Sequence, residues 1–266
     1  MHDPTRSRSL AVITGASAGM GRVFAQRLAA RGHDVALVAR RGDRLEALAT
    51  EIRDAFGVEA LVILADLSVT DAHLAIMTAL EGRTVDVLVN NAGYSLAPAY
   101  VDTDWGAQRD FVMTLVMSVC GLTHAVLPGM LAQGRGRIIT VSSLLALSQG
   151  GPGHTLYPAA KSFVLKFMLS LDAEVRRRGV VITCVLPGST ASEFQQANGT
   201  ADAMAGMPKS LIATPEQVVT AALDANDHGR IMVIPGWYNQ LAALLFRLAP
   251  DALLRALSAQ AASRFT

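Results

Sequence analysis

The chain has 266 residues, of which 51% are hydrophobic and 17% are charged, and its formal net charge is +1. This length is enough for one large domain with a substantial buried core, and the nearly balanced charge argues against a nucleic-acid partner. The six histidines and two cysteines show no metal-ligand spacing, so we expect no metal site and, from unpaired buried thiols, a cytoplasmic protein.

Residues 1–9 are polar and are followed by only a short apolar run, so we expect a flexible N-terminus rather than a signal peptide. No stretch has the roughly 18–20 consecutive apolar residues that span a bilayer, which predicts a soluble protein. The folded domain is expected to cover residues 10–235.

Within this domain, short apolar runs rich in β-branched residues alternate with longer helical stretches. The runs lack polar alternation, as is typical of strands that are covered on both faces. The pattern predicts an α/β single-domain Rossmann fold, with a doubly wound parallel seven-stranded sheet and helices on both faces. Ligands of such sheets bind beyond the carboxyl ends of the strands. The predicted strands are 10–14, 34–39, 60–65, 85–90, 137–142, 180–186 and 230–234, and the predicted helices include 19–31, 42–56, 106–133, 157–178 and 214–223.

The sequence TGASAGMG, residues 14–21, directly follows the first predicted strand and opens the first helix. Gly15, Gly19 and Gly21 would let the backbone turn tightly and approach a pyrophosphate, whose charge suits the N–H groups at a helix N-terminus. An ordinary glycine-rich turn is the alternative. The strand–turn–helix context favours a dinucleotide cofactor.

The end of the second strand indicates which dinucleotide binds. Arg40 and Arg41 stand where an NAD-type site carries an acidic residue for the ribose 2′-hydroxyl. A guanidinium group suits a 2′-phosphate, so we predict NADP(H), with solvated arginines as the alternative. Two further strand ends fit a cofactor: Asp66 is placed for the adenine amino group with Leu67 against the ring, and the small residues of NNAG, 90–93, allow a close approach to the backbone.

The motifs TGASAGMG, NNAG, VSS and YPAAK occur in this order, and the chain resembles the short-chain dehydrogenase/reductase superfamily over residues 9–235. The resemblance implies that Ser143, Tyr157 and Lys161 are catalytic, while Ser142 is structural. Tyr157 and Lys161 are four residues apart, so a helix places both on one face. By resemblance, Tyr157 would be the general acid in ketone reduction, Lys161 would lower its pKa and hold the nicotinamide ribose, and Ser143 would orient the substrate oxygen.

After the sixth strand, the resemblance implies that Pro187 and Gly188 border the nicotinamide end of the cofactor. Ser192 stands at the usual Thr position, and Thr190 is the alternative if the loop is shifted. One residue departs from the family pattern: Leu115 occupies the position of an Asn that anchors a water molecule behind the catalytic Lys, so we expect another proton route or slower turnover. The predicted NADP(H)-binding residues are Gly15, Ser17, Ala18, Gly19, Met20, Gly21, Arg40, Arg41, Asp66, Leu67, Asn90, Ala92, Gly93, Tyr157, Lys161, Pro187, Gly188, Thr190 and Ser192.

The segments expected to contact substrate, 94–105, 144–156 and 189–214, are rich in apolar residues and poor in charge. They predict a moderately hydrophobic carbonyl or alcohol substrate, with 189–214 as a mobile lid loop. Taken singly, each of these residues could instead belong to the core. The predicted substrate contacts are Tyr94, Leu145, Leu156 and Phe194.

Residues 236–266 are predicted to form a C-terminal helical extension with a leucine stripe that begins at Leu241. The stripe could pack on the domain or on a second subunit, cover an apolar substrate, or contact a membrane surface. The resemblance implies a homodimer or homotetramer built through helices 106–133 and 157–178. It also points, at the level of the fold, to the branch that includes acyl-chain and hydroxysteroid reductases.

Together these features predict an NADP(H)-dependent oxidoreductase that interconverts a ketone and a secondary alcohol on a moderately hydrophobic substrate. Two alternatives stay open at this point. The same scaffold could carry other nicotinamide chemistry, such as enone reduction, epimerisation or dehydration, which the complete Ser–Tyr–Lys set disfavours. The chain could also be a nucleotide-binding regulatory protein without turnover, for which Leu115 is the only support.

Overall fold

The structure, a computed structural model, describes residues 8–96, 99–150, 156–191, 208 and 211–250. Its seven strands are β1 (Leu10–Thr14), β2 (Asp34–Ala39), β3 (Ala60–Leu64), β4 (Val85–Asn90), β5 (Gly136–Val141), β6 (Val180–Val185) and β7 (Met232–Val233). They form one sheet in the order β3-β2-β1-β4-β5-β6-β7, and every neighbouring pair is parallel. The predicted seven-stranded parallel sheet is confirmed.

Helices cover both faces of this sheet. They are α1 (Gly19–Ala30), α2 (Gly42–Phe56), α3 (Ala72–Ala79), α4 (Trp105–Val112), α5 (Ser118–Ala132), α6 (Leu156–Val175), α7 (Pro215–Asp227) and α8 (Trp237–Leu248). Alternate residues of a strand point to opposite faces, so in β1 Val12 enters the core beneath α3, α5 and α6, while Ile13 enters the core beneath α1, α2 and α7. Burial on both faces explains why the strands have uninterrupted apolar sequences.

The strand order reverses between β1 and β4. The chain runs outward from β1 to β3 on one side of the sheet and then continues from β4 to β7 on the other side. The carboxyl ends of β1 and β4 therefore form the crevice in which folds of this kind bind their ligands. The glycine-rich stretch and the NNAG sequence lie there, directly after these two strands.

The predicted helix 106–133 is found as one helical run, Trp105–Ala132, but its middle is unusual. A π-helical turn, Met113–Met117, joins α4 to α5 and contains Leu115; π turns are often found at functional sites. Within the described part of the chain, this helical run alone has the length and apolar composition that could cross a membrane. Helices in the core of a folded domain often have the same length and composition. Here α5 packs on the sheet through residues such as Leu122.

The leucine stripe of α8 does not pack on the domain, which contradicts that part of the interpretation, while packing on a second subunit stays a prediction. α8 turns Asn239 and Ala243 inward, whereas the stripe on its opposite side is 45–73% exposed. The exposed leucines are Leu241, Leu244, Leu245 and Leu248. Residues 251–266, the rest of the predicted extension, lie outside the described residues, as do Ser192 and Phe194 of the predicted lid loop.

Candidate active site

The carboxyl end of β1 forms a cradle that has no room for side chains. Gly15 has a φ of 68°, and an added Cβ there would lie 2.8 Å from Asn91 Nδ2 and 2.9 Å from Ala92 Cα. An added Cβ on Gly21 would collide with the carbonyl oxygen of Gly15. α1 begins at Gly19, and among the described residues no side chain caps its N-terminus. Its first N–H groups are therefore available to an anion such as a pyrophosphate.

A hydrogen-bond network joins this cradle to the end of β4. The Thr14 hydroxyl accepts from the backbone N–H groups of Asn91 and Ala92 at 2.9 and 3.1 Å. The same hydroxyl donates to the carbonyl oxygen of Val89 at 3.2 Å, and Asn91 Nδ2 donates to the Thr14 carbonyl oxygen at 2.9 Å. The two strand ends that border the crevice are therefore fixed relative to each other.

The two arginines after β2 lie along the rim of the crevice, Arg41 beside the cradle and Arg40 beside the end of β3. Arg41 donates from Nε and Nη2 to the Ser17 hydroxyl at 3.2 and 3.0 Å. Arg40 Nη1 lies 3.9 Å from Asp66 Oδ2, and the Arg40 side chain is 71% exposed. Hydrogen bonds from Ser68, more than the nearby Arg40, hold the pKa of the Asp66 carboxyl below its usual value. Two neighbouring guanidinium groups at this rim fit the 2′-phosphate of NADP(H).

Two predicted cofactor residues are more buried than the sequence indicated. Asn90 is 3% exposed, and its Nδ2 donates to the hydroxyls of Thr123 and Thr140 at 3.3 and 3.4 Å. This amide is turned into the core, so a cofactor contact by Asn90 could come only from its main chain. Leu67 is 8% exposed and belongs to a main core, so it offers little surface to an adenine ring.

Ser143, Tyr157 and Lys161 come together as predicted. The Ser143 hydroxyl accepts from the Leu145 N–H at 3.2 Å and shares a hydrogen bond with the Tyr157 hydroxyl. Lys161 Nζ lies 5.7 Å from the centre of the Tyr157 ring and donates to the Val141 carbonyl oxygen at 2.8 Å. Because an ammonium group has three N–H donors, two are left by the described residues for the hydroxyls of a ribose.

Burial changes the acid–base properties of the two titrating groups. It raises the pKa of Tyr157 to about 12, and the hydrogen bond with Ser143 acts in the opposite direction. Burial also lowers the pKa of Lys161 to about 8. The loss of hydration outweighs any lowering of the Tyr157 pKa by the Lys161 ammonium, so the net shift is upward rather than downward as expected. Tyr157 stays protonated at neutral pH, as a general acid in ketone reduction must be.

A small apolar cluster, separate from the two main cores, borders the Tyr157 ring. The Phe111 ring centre is 5.4 Å from that of Tyr94 and 6.5 Å from that of Tyr157. Leu156 packs against the same cluster, and Leu145, two residues after Ser143, is 37% exposed. The buried members of the cluster are Phe111, Leu115, Val116 and Ala160. Predicted substrate residues therefore line an apolar surface next to the catalytic hydroxyls.

Leu115, which departs from the family pattern, lies behind the Lys161 ammonium group. Leu115 is 1% exposed. A Cβ added to Gly93 would lie 3.6 Å from Lys161 Nζ and 3.8 Å from Leu115 Cγ, so the leucine and the ammonium border the same glycine. Burial lowers the pKa of Lys161, and a leucine at this place supplies no polar group to offset the loss of hydration.

The loop after β6 is held by the C-terminal helix, a contact that the sequence analysis missed. The Pro187 carbonyl oxygen accepts from the Leu144 N–H at 2.9 Å, and the Thr190 hydroxyl donates to the Gly188 carbonyl oxygen at 3.2 Å. Asn239 of α8 is 3% exposed, and its Oδ1 lies so close to Gly188 that an added Cβ would collide with it. The sequence signal for this contact is Asn239 itself, a polar residue on the inward side of a largely apolar helix.

Comparisons with known proteins agree with this geometry. A family model described as short chain dehydrogenase matches residues 9–203. The very-long-chain 3-oxoacyl-CoA reductase of Anas platyrhynchos is 37% identical over 218 residues, which cover 80% of this chain and 67% of that protein. The matches to mouse and human proteins of the same name cover 60% of their length.

Two solved structures are also similar over most of their length. A short-chain dehydrogenase from Sphingobium yanoikuyae in complex with NADPH has a TM-score of 0.81 at 30% identity, covering 89% of this chain and 92% of that chain. A 7β-hydroxysteroid dehydrogenase has a TM-score of 0.85 at 27% identity, covering 94% of this chain and 96% of that chain.

Proposed function

Since this chain belongs to the short-chain dehydrogenase family, we propose that Ser143, Tyr157 and Lys161 carry out its chemistry on a long-chain 3-oxoacyl thioester. The chain is an NADP(H)-dependent oxidoreductase that interconverts a ketone and a secondary alcohol on a moderately hydrophobic substrate. When bound, NADP(H) supplies or accepts the hydride at the carbonyl carbon. We assign the glycine cradle to its pyrophosphate and both Arg40 and Arg41 to its 2′-phosphate.

Ser143 is assigned to orient the ketone oxygen. Its oxygen accepts the Leu145 N–H at 3.2 Å, so its own O–H remains free to donate to Tyr157 or to the substrate. A hydroxyl oriented in this way needs no reorganisation when negative charge develops on the substrate oxygen. The amide of Leu145 thus has a part in the chemistry, because it fixes the direction in which Ser143 donates.

Tyr157 is assigned to donate its proton to that oxygen in the reductive direction. Because burial raises its pKa to about 12, the phenol is fully protonated before the reaction. The phenolate that remains after transfer is stabilised by the Lys161 ammonium, 5.7 Å from the ring centre. In the oxidative direction the phenolate accepts the proton of the alcohol, so both directions use the same pair of groups.

The observation that supports an acyl substrate is the apolar surface beside Tyr157. Tyr94 and Leu156 are only partly buried there, packed on the buried Phe111, and neither carries a charge that would favour a polar substrate. The 37% identity to a very-long-chain 3-oxoacyl-CoA reductase supports a substrate that carries an acyl chain. A bulky cyclic ketone is a second candidate, supported by the TM-score of 0.85 with a 7β-hydroxysteroid dehydrogenase.

The test is NADPH oxidation with 3-oxoacyl-CoA thioesters of increasing chain length, alongside 7-oxo steroids and small polar keto sugars. We expect kcat/KM to rise with chain length, by up to ~10-fold for every two buried CH₂ groups. Higher kcat/KM for the steroids would favour the second candidate. Turnover only of the polar ketones would overturn both.

We also propose that the chain forms a homodimer through the outer faces of α5 and α6. Met117, at the start of that surface, is 51% exposed, and Phe163 on α6 is 49% exposed. Exposed apolar side chains of this kind are typical of subunit contacts. Phe163→Glu should therefore reduce the mass measured by sedimentation to that of a monomer. A cytoplasmic location stays a prediction, supported by the free thiols of Cys120 and Cys184.

A further inference from the structure

The catalytic groups lie on two separate pieces of chain that must be held in register. Tyr157 and Lys161 belong to α6, whereas Ser143 precedes a short 3₁₀ turn, Leu144–Leu147. Ser142, predicted to be structural, donates from its hydroxyl to the Lys161 carbonyl oxygen at 2.8 Å. This bond fixes the chain on one side of Ser143 only.

A second hydrogen bond holds the chain on the other side of Ser143. The Ser162 hydroxyl donates to the carbonyl oxygen of Ala146 at 2.6 Å. Ser162 is half-buried, and Ala146 is 9% exposed and belongs to a main core. Ser143 therefore lies between two anchors, Ser142 and Ala146, and both anchors meet consecutive residues of α6.

We propose that Ser162 is a positioning residue for catalysis: by holding the Ala146 carbonyl oxygen, it keeps the turn that presents Ser143 at the distance from α6 that the Tyr157 hydroxyl requires. Ala146 also packs in a main core with residues of α6, and such non-directional contacts allow small displacements that a hydrogen bond prevents. The inference rests on the proposed roles of Ser143 and Tyr157.

The position of Leu145 shows how the loss of this bond would reach the reacting oxygen. Leu145 donates its N–H to the Ser143 hydroxyl at 3.2 Å, and it is the neighbour of Ala146 in the same turn. If Ala146 moves away from Ser162, the Leu145 amide moves with it, and the hydroxyl of Ser143 loses the donor that sets its direction. The Lys161 ammonium is held independently by Val141, so cofactor binding is not expected to change.

The test compares Ser162→Ala, Ser162→Thr and Ser170→Ala in the full chain, with 3-oxododecanoyl-CoA as the ketone. Ser170 is an exposed residue of the same helix and serves as the matched control. Because misplacement of a catalytic group by about 1 Å can cost ~10²-fold, we expect Ser162→Ala to lower kcat by ~5- to 20-fold. The Kd for NADPH, from fluorescence titration, should stay within twofold of wild type. Ser162→Thr keeps the hydroxyl and should restore most of kcat, and Ser170→Ala should change nothing.

A solvent deuterium isotope effect separates positioning from a general loss of stability. We expect the effect on kcat to increase in Ser162→Ala, because proton transfer from Tyr157 becomes slower relative to the other steps. A kcat within twofold of wild type would overturn the proposal, and so would a parallel loss of NADPH binding. If Ser162→Ala does not fold, a Ser162→Thr variant with a kcat far below wild type would count against the proposal equally.

Tyr157→Phe, measured in parallel, reports on the proposed function alone. Full activity of Tyr157→Phe would refute the assigned chemistry. An inactive Tyr157→Phe together with a normal Ser162→Ala would refute only the positioning role.

Discussion

Arg40 at the end of β2 and Lys161 on α6 carry the same charge but meet solvent in opposite ways. The Arg40 side chain is 71% exposed and lies 3.9 Å from an acidic partner that is itself partly exposed. Lys161 is 5% exposed and donates to a backbone carbonyl at 2.8 Å. The first cation is open to solvent, while the second is enclosed near Gly93 and the Tyr157 ring.

This difference separates two tasks within one crevice. An exposed cation keeps its ordinary charge state and contributes a modest, salt-screened attraction, which suits the selection of one cofactor over another. A buried cation has a shifted pKa and a fixed direction, which suits acid–base chemistry. Substitutions at the catalytic end should therefore act mainly on kcat, and those at the arginine end mainly on the KM of the cofactor.

The largest effect is expected from Tyr157→Phe in the buried part of the crevice, beside Lys161. The variant keeps the ring and its contact with Phe111, and it removes the hydroxyl that donates the proton and shares a hydrogen bond with Ser143. Because general acid catalysis contributes about 10²- to 10⁴-fold, kcat for ketone reduction should fall by that factor while NADPH binding is retained. Stopped-flow absorbance and a fluorescence titration measure the two quantities. Near-normal turnover would show that the proton comes from another group.

A smaller effect is expected at the exposed end from the double substitution of Arg40 and Arg41 by Ala. Each exposed arginine should contribute about 1 kcal/mol to binding of the 2′-phosphate, so the KM for NADPH should rise by ~5-fold per arginine. The KM for NADH should hardly change. Raising the salt concentration should weaken NADPH binding in wild type more than in the variant. Arg27→Ala, which removes one exposed positive charge from α1, is the control for the loss of a single arginine. Equal losses for both cofactors would contradict the assignment.

The sheet and the crevice could be predicted from the sequence because their causes are local. Strands buried on both faces need uninterrupted apolar runs, and Gly15 and Gly21 are required by backbone contacts that no side chain allows. α3 was missed because it is short and starts after Asp71, a non-glycine residue with a φ of 60°. The π turn around Leu115 has no sequence signal of its own, since it depends on how α4 and α5 pack.

The details of the site could not be predicted because they depend on residues far apart in the chain. The contact of Asn239 with Gly188 joins helix α8 to the loop after β6, which are about 50 residues apart in the chain. Asn90 was assigned to the cofactor from its motif, but the hydroxyls of Thr123 and Thr140 turn its amide into the core. The pKa of Tyr157 was expected to be lowered by its charged neighbour, whereas burial, which a sequence does not reveal, raises it to about 12.

The pH dependence tests whether the buried cation behaves as described. Burial lowers the pKa of Lys161 to about 8, so the ammonium loses its proton above that pH, while Tyr157 with a pKa of about 12 stays protonated. The value of kcat/KM for NADPH, which reports on the free enzyme, should therefore fall by up to ~10-fold per pH unit above about pH 8. Lys161→Arg keeps its charge and should move this fall to higher pH, at a lower rate overall. A fall with the same midpoint in both proteins would assign it to another group.

The smallest effect on rate is expected from Leu115→Asn, which alters what surrounds Lys161 without touching the cofactor cradle. A polar side chain behind the ammonium should reduce its desolvation and move the pKa of Lys161 upward from about 8. The fall in kcat/KM for NADPH at high pH, called here the high-pH limb, should shift in the same direction. The value of kcat at neutral pH should change by no more than ~3-fold, since Tyr157 is protonated in either case. The free energy of unfolding, measured with urea, should fall by about 2–4 kcal/mol because an amide replaces a buried isobutyl group.

Leu115→Ala supplies the matched control. It leaves a cavity without a polar partner, so it should be destabilised similarly and yet keep the high-pH limb closer to that of wild type. If both variants shift the limb equally, hydration of the cavity rather than the amide governs Lys161, and if neither does, Leu115 has no part in setting its charge.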